Sequence, residues 1–255
     1  MDHMAICYIY LRLSLGGTRM AVKPLQSLAR ALAAIDAIAE HQPVGLSALA
    51  RALDEDKSAL QRVLVTLHAA GWIRPAGGEL TRWELTSHPA VVATKAQRGS
   101  GILDRARLAM DQLREATGES VVLAVPDAGQ IITLDVVESR HLVRSAPHRG
   151  MVLPDGGAAA LAIFSRLPLE EVQSYGGAVD DPSFLDELAR TRTRGWSLNA
   201  GAVSAAATSI GAALLDPGGR PVAALVVSAP TERLPRTKYA AIGALVHAAS
   251  LSLSS

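Results

Sequence analysis

The segment from Lys57 to Val65 carries side chains whose types and spacing suit hydrogen bonding to the edges of DNA bases. The forked guanidinium of Arg62 can bind guanine through two hydrogen bonds, and the carboxamide of Gln61 can bind adenine in the same way. Val65 offers a methyl surface to thymine, whereas Lys57 and Ser58 can contact phosphates. The segment therefore predicts a surface that reads double-stranded DNA.

A helix over residues 57–70 must position these groups. Its apolar residues recur at i, i+3, i+4 and i+7, which predicts one stripe facing a core. The stripe consists of Leu60, Val63, Leu64 and Leu67. At about 100° per residue, Ser58, Arg62 and Val65 fall on the opposite side, with Gln61 on its flank. An isolated amphipathic helix with a solvated polar face would give the same pattern, so the neighbouring elements decide between the two interpretations.

The start of this helix has two interpretations. The carboxylates of residues 54–56 suit a helix N-terminus, although they would repel phosphates if they faced a duplex. Ser58 and Gln61 also fit a capping box, in which their side chains bond to backbone N–H groups. In that case both side chains are occupied and base reading depends on Arg62.

The neighbouring elements favour a winged helix-turn-helix over residues 20–87. A first helix is predicted at about 24–40, with Leu25, Leu28, Leu32, Ile35 and Ala39 on one face, and a second at 46–53. After the helix at 57–70, which we call the reading helix, Gly77 and Gly78 lie in the turn of a predicted hairpin that forms the wing. We expect Arg74 and Arg82 on this wing, and Arg30 on the first helix, to contact phosphates.

The rest of the chain predicts an α+β fold. A linker helix and a hinge occupy 88–101, where Gly99-Ser100-Gly101 interrupts the pattern. Residues 102–255 form the second domain, with an antiparallel sheet. Its helices are predicted at 102–117, 156–164, 168–175, 183–194 and 231–252, and its strands at 121–125, 131–137, 141–144, 209–215 and 222–228.

Composition narrows the classes of function. The net charge is only +1, and residues 21–98 hold nine Lys and Arg against seven Asp and Glu, so DNA affinity depends on a few placed cations. The lone Cys7 excludes an internal disulfide framework and fits the reducing cytoplasm. The most apolar stretches are too short to cross a membrane. We expect residues 1–19 to be disordered or a spurious extension.

Catalytic and metal-binding patterns are weak. The seven histidines lack ligand spacing, and His141 and His148 form no more than a chance pair. Adjacent carboxylates such as Glu170 and Glu171 point two ways and cannot flank one substrate bond. No phosphate-binding glycine motif is present. The sequence predicts no catalytic residue, no metal site and no cofactor, and therefore a protein that is not an enzyme.

With this order of elements, the chain resembles the IclR family of bacterial transcriptional regulators over about 22–235. The resemblance rests on Ser27-Leu-Ala-Arg-Ala-Leu32, Leu46-Ser-Ala-Leu-Ala50, Lys57-Ser-Ala-Leu-Gln-Arg-Val-Leu64, Thr117-Gly-Glu-Ser-Val121, Arg194-Gly-Trp196 and the segment Asp216–Pro230. It implies a homodimer or a dimer of dimers formed largely through the N-terminal helices. It also implies a roughly palindromic operator and a C-terminal domain, similar to GAF domains, that binds a small effector.

The resemblance also implies where the effector binds. Family members that bind small carboxylates use polar side chains at four positions, which here hold Asn199, Ser209, Val226 and Ser228. A carboxylate is common in place of Asn199, and serine in place of Val226. We place the effector near these residues and near Met151, Asp155 and Gly156. The remaining pocket is small and neutral, which favours a neutral or amphipathic metabolite or a site that has lost its effector.

The sequence thus predicts a cytoplasmic, ligand-responsive regulator, more readily a repressor, of a metabolic operon. The alternative is a DNA-binding regulator with a vestigial sensor domain that acts constitutively or through a protein partner.

Overall fold

The computed structural model describes residues 25–78, 81–96 and 101–254. Contacts divide the chain into two compact units, Met1–Gly99 and Ser100–Ser255, and each is described by itself. The predicted extension at 1–19 lies outside the described residues. The finer domain boundaries stay predictions.

The N-terminal unit is the predicted winged helix-turn-helix. Its elements are α1 (Gln26–His41), β1 (Val44–Gly45), α2 (Leu46–Ala52), α3 (Lys57–Ala69), β2 (Ile73–Ala76), β3 (Arg82–Leu85) and α4 (His88–Ala96). The strands form a three-stranded antiparallel sheet in the order β1-β3-β2. The sequence reasoning missed β1, which pairs Val44 with Trp83, because two residues are too few to show an alternating pattern.

The core of this unit confirms the apolar stripe of α3. Leu60, Leu64 and Leu67 are buried, whereas Val63 is half-buried. They pack with buried residues of the other elements, namely Ile38, Leu49, Ile73 and Trp83. Burial here removes apolar side chains from water and fixes the rotation of α3, so its polar side faces outward.

Helix α1 buries a different face from its leucine-rich one. Small side chains at Ala34 and Ala37 allow the helix to pack closely, and Ile38 is fully buried beside them. The leucines at 25, 28 and 32 lie on the other side of the helix and are 70%, 57% and 55% exposed. The leucine face of α1 is therefore not covered by the described residues of this unit.

The C-terminal unit is a six-stranded antiparallel sheet in the order β6-β5-β4-β9-β8-β7. The strands are β4 (Ser120–Asp127), β5 (Gln130–Val137), β6 (Val152–Leu153), β7 (Ser197–Ala200), β8 (Ala207–Leu215) and β9 (Pro221–Pro230). The helices are α5 (Ile102–Thr117), α6 (Ala158–Phe164), α7 (Leu169–Ser174), α8 (Pro182–Arg194) and α9 (Tyr239–Leu253). One sheet face packs on α5 and α9, and the other packs on α6, α7 and α8. The predicted α+β class is confirmed.

Two predictions about elements of this unit were wrong, and the strands β6 and β7 were missed. Residues 141–144 form no strand but part of a loop, where Leu142 and Val143 are 94% and 67% exposed. The edge strand β7 was missed because Ser197 to Ala200 is short and polar. The C-terminal helix begins at Tyr239 instead of residue 231, since Pro230 and Pro235 keep the preceding chain in turns and a short 3₁₀ helix.

Candidate functional site

The start of α3 is fixed by Asp56. Its carboxylate accepts hydrogen bonds from the backbone N–H groups of Ser58 and Ala59, at 2.9 and 3.0 Å, and from the Ser58 hydroxyl at 2.6 Å. The hydroxyl bond and then the backbone bonds hold the pKa of Asp56 below its usual value. The helix thus uses an aspartate cap, and the capping box proposed for Ser58 and Gln61 does not form.

The outer face of α3 presents most of the DNA contacts predicted for this helix. Lys57, Gln61 and Arg62 are exposed, and their side chains make no hydrogen bond or ion pair with the described residues. Val65 is 54% exposed on the same face. The Ser58 hydroxyl, in contrast, already donates to Asp56, so this predicted phosphate contact is occupied.

Two of the predicted phosphate contacts are already ion-paired. Arg30 Nε lies 2.7 Å from Glu55 Oε1, so the first helix is tied to the acidic corner before α3. Arg74 Nε lies 2.7 Å from Glu84 Oε1 across the wing. Arg82 is exposed and makes no such pair within the described ranges. The pairing lowers the positive charge that Arg30 and Arg74 present to phosphates.

The wing is positioned by both its strands and α3. Strands β2 and β3 pair Pro75 with Trp83 and Ala76 with Arg82. The Trp83 ring packs 5.5 Å from the ring of His68 on α3, measured between centroids. These contacts hold the wing beside the reading helix, the arrangement that a winged helix needs to contact adjacent DNA surfaces.

A cavity of about 300 Å³ lies in the C-terminal unit, on the sheet face that packs against α6. It is bounded by the sheet, by the start of α6 and by residues 138–151, which we call the lid loop. The lining residues are Val122, Ser145, Ala146, Pro147, His148, Met151, Leu153, Pro154, Gly157, Ala158, Ala159, Asn199, Val203, Ser204, Ala207, Ser209, Val226 and Ser228. The volume is at the small end for a ligand pocket.

Five of the seven predicted effector residues line this cavity. Met151 lies at the end of the lid loop, and the other four come from β7, β8 and β9. Asp155 and Gly156 are not lining residues, because they form the turn that leads into α6. Gly156 instead accepts a hydrogen bond from Asn199 Nδ2 at 2.8 Å through its carbonyl oxygen.

The polar residues of the cavity form a row across the sheet. Asn199 pairs with Ser209, and Ser209 pairs with Ser228, so all three side chains share one face. The Ser209 hydroxyl donates to the Ser228 hydroxyl at 3.1 Å. Ser228 in turn pairs with Ser120, whose hydroxyl accepts from the backbone N–H of Ser139 in the lid loop. The row therefore offers neutral hydrogen-bonding groups.

Apart from Met151, sequence reasoning missed the contribution of the lid loop to the cavity wall. Residues 145–148 carry no periodic pattern, and only the fold places them over the sheet. His148 is the one titratable side chain among the residues that line the cavity, and no Asp, Glu, Lys or Arg joins it. The other lining side chains are apolar, carry a hydroxyl or, at Asn199, carry a carboxamide, and none of them is charged.

Two further features bear on function. Within residues 25–78, 81–96 and 101–254, no cluster of three or more His, Cys, Asp or Glu side chains is placed to hold a metal ion. None of the helices in those same ranges is long and apolar enough to span a membrane.

Both units match models of one protein family. Residues 27–77 match the model described as the IclR helix-turn-helix domain, and residues 94–255 match the one described as bacterial transcriptional regulator IclR C-terminal. The chain belongs to the IclR family. Because this family consists of transcriptional regulators, the IclR-family protein described here is a DNA-binding regulator and not an enzyme.

Relatives and solved structures agree with this assignment. The chain is 30% identical to the acetate operon repressor of Salmonella typhimurium over 237 residues, which cover 87% of this chain and 86% of that protein. It is 28% identical to the transcriptional repressor IclR of Escherichia coli over 244 residues, 90% of this chain and 89% of the relative. The crystal structure of Thermotoga maritima IclR matches with a TM-score of 0.72 at 20% identity, covering 90% of this chain and 97% of that one, and supports the fold.

Proposed function

We propose that this IclR-family protein represses a metabolic operon in the cytoplasm, and that a small effector changes its affinity for a roughly palindromic operator. The observation that carries the DNA-reading part is the outer face of α3, where the side chains of Gln61 and Arg62 are exposed and make no hydrogen bond or ion pair with the described residues. Two relatives, an acetate operon repressor and a transcriptional repressor, support repression as the output.

The exposed leucines of α1 support a homodimer. Leu25, Leu28 and Leu32 form an apolar stripe more than half exposed, which a second copy of the chain would cover by pairing the same face. Two copies related by a two-fold axis would present two α3 helices to successive major grooves. A dimer of two such dimers is the larger assembly that the family resemblance favours.

The chemistry of the cavity supports a neutral or amphipathic effector and no cofactor. The hydroxyls of Ser209 and Ser228 can bond to a carbonyl or hydroxyl, while Val226 and Met151 contribute apolar surface. A highly charged ligand would lose its hydration without meeting an opposite charge in the wall. The alternative, a vestigial sensor in a constitutive or partner-dependent regulator, predicts that no metabolite binds this cavity.

The test begins with a duplex selected from a random pool of DNA by the purified full-length protein. Failure to enrich any sequence would contradict DNA reading by α3. A library of neutral and amphipathic metabolites is then screened by thermal melting, since a ligand of the folded state raises the melting temperature. Each stabilising compound is added to the selected duplex in an anisotropy titration. Unchanged operator affinity for every compound would contradict the effector role.

A matched pair of variants tests whether the ligand binds in the cavity. Ser209→Ala removes a lining hydroxyl without adding bulk to the cavity, so it reduces the melting shift caused by a bound metabolite. Thr208→Val removes a hydroxyl from the neighbouring residue of β8, which is not a lining residue. It lowers the melting temperature itself but leaves the ligand-induced shift intact. Equal shifts in both variants and the wild type would place the ligand elsewhere.

A further inference from the structure

A buried carboxylate joins the lid loop to helix α5. Asp135 lies near the end of β5, and its side chain is only 7% exposed. One carboxylate oxygen, Oδ2, accepts from Arg107 Nη1 of α5 at 2.6 Å. The other, Oδ1, accepts from Arg149 Nε of the lid loop at 2.5 Å. The two arginines come from different elements and meet at this single side chain.

A break in the strand register puts Asp135 on the α5 side of the sheet. Along β4 and β5, Leu123 pairs with Asp135 but Ala124 pairs with Thr133, so Leu134 is an extra residue. This β-bulge turns Asp135 to the same face as Leu123, which packs in the core beneath α5. Without the extra residue, the alternation of β5 would direct position 135 toward the cavity face, together with Thr133.

The part of the lid loop that holds Arg149 is also part of the cavity wall. His148 and Met151 line the cavity on either side of it. Backbone hydrogen bonds tie this turn to β5, with Gly150 donating to Thr133 and Thr133 donating to Met151, at 2.8 and 2.9 Å. A ligand that displaces His148 or Met151 therefore acts on a short, pinned segment whose side chain is bonded to Asp135.

Electrostatics make the two ion pairs depend on each other. Burial raises the pKa of Asp135, but hydrogen bonds from the Val136 N–H and from both arginines outweigh it and hold the carboxyl below its usual value. A buried, ionised carboxylate that loses one hydrogen-bonding partner is left with an unmet charge. The remaining arginine must then turn a second N–H toward the freed carboxylate oxygen, or water must enter. A change at Arg149 is thus felt at Arg107.

We propose that Asp135 is a positioning residue that couples the lid loop over the cavity to helix α5. The inference rests on the proposed effector function, because it supplies the route by which occupancy of the cavity reaches α5. That helix begins at Ile102, directly after the boundary between the two units of the chain. A second link, from Arg140 of the lid loop to Glu115 of α5 at 2.8 Å, holds the far end of the loop to the same helix.

The test is amide hydrogen exchange on the full-length protein and three variants. Arg149→Met removes the lid-loop partner, Arg107→Met removes the α5 partner, and Asp135→Asn removes the charge between them. We expect Arg149→Met to speed exchange in the first two turns of α5, and Arg107→Met to speed it in residues 145–151. Loss of a charge-assisted hydrogen bond to a buried carboxylate corresponds to an increase in the exchange rate of about tenfold or more.

Matched controls separate coupling from general loosening. Arg144→Met removes the ion pair between Arg144 and Glu138, whose two members both lie in the lid loop, so α5 should keep its exchange rates. Arg149→Lys keeps a positive charge at this position, so the exchange rates in α5 should lie between those of Arg149→Met and those of the wild type. Arg107 and Arg149 are about half or more exposed, and each single variant leaves Asp135 bonded to the other arginine and to the Val136 N–H, so we expect both variants to fold.

Faster exchange confined to the element that carries each substitution would overturn the inference. The double variant Arg107→Met/Arg149→Met gives a further check, because coupled groups must give non-additive changes in exchange. Binding of the wild-type protein to its selected duplex is measured separately. Coupled exchange without operator binding would contradict the proposed function alone, and operator binding with uncoupled exchange would contradict this inference alone.

Discussion

Neutralising Glu84 should strengthen DNA binding, although Glu84 contacts no DNA in our proposal. Its carboxylate holds Arg74 Nε at 2.7 Å, and the Arg74 side chain is 63% exposed at the wing. The pair is an exposed cross-strand one worth no more than about 1 kcal/mol to the fold, so Glu84→Gln leaves the unit folded. The substitution frees one cation and removes one negative charge at the surface that approaches phosphates.

The size of the effect follows from counterion release. Each added phosphate contact steepens the dependence of log K on log salt by about 0.9, which for two wings in a dimer gives a slope change of about 1.8. We take the electrostatic part of the binding free energy to vanish near 1 M salt. At about 0.1 M salt, each contact then raises the association constant about eightfold, and the two contacts of a dimer raise it roughly sixtyfold. We therefore expect tighter binding at low salt and a convergence of the two proteins at high salt.

Fluorescence anisotropy with the selected duplex, titrated across a series of KCl concentrations, measures both quantities. Glu40→Gln is the control, because it removes the same charge from α1, where the carboxylate lies 3.8 Å from His41 and is 62% exposed. A slope for Glu84→Gln equal to that of the wild type and of Glu40→Gln would show that Arg74 makes no phosphate contact. The reasoning about sequestered cations would then be wrong.

Further predictions concern the reading helix, the dimer and the buried carboxylate. Arg62→Ala should cost about 1–3 kcal/mol and relax the preference at one operator position, whereas Lys57→Ala should weaken all duplexes equally, as single-base variants of the duplex will show. Leu28 is 57% exposed, so Leu28→Asp should remove about 2–3 kcal/mol from a symmetric dimer, a shift in dissociation constant of roughly 30–150-fold by analytical ultracentrifugation. Unchanged sedimentation would exclude this face from the dimer. Because the pKa of Asp135 is lowered in the folded protein, its stabilisation is complete above the unfolded value of about 3.9 and is lost as pH falls through the folded value. The melting temperatures of wild type and Asp135→Asn should therefore differ by a constant amount near neutral pH and converge at strongly acidic pH.

The sequence was most informative where one strong period governs a whole element. The spacing of Leu60, Leu64 and Leu67 determined which side of α3 is buried, and hence which side carries Gln61 and Arg62. The same reasoning failed for short elements. Two residues in β1 and four in β7 cannot show a period, and their pairing is set by strands distant in the chain.

Interactions between residues far apart in the chain could not be predicted from the sequence. Arg30 and Glu55 are separated by 25 positions, so nothing local indicated that a predicted phosphate ligand is already paired. The three consecutive acids before α3 each suit a cap, and only the backbone geometry selects Asp56. At the cavity, the family resemblance identified the sheet positions, because strands place side chains at regular intervals. It did not identify residues 145–148 of the lid loop, which have no regular spacing.

The row of cavity residues on β7, β8 and β9 has a consequence for how the proposed effector specificity can change during evolution. Neighbouring strands are held by backbone hydrogen bonds, which do not depend on side-chain identity. Under the proposed effector role, a substitution at Asn199, Ser209 or Val226 alters chemical selectivity while the strands keep their register. Selectivity for the ligand can therefore evolve with the DNA-binding unit left unchanged.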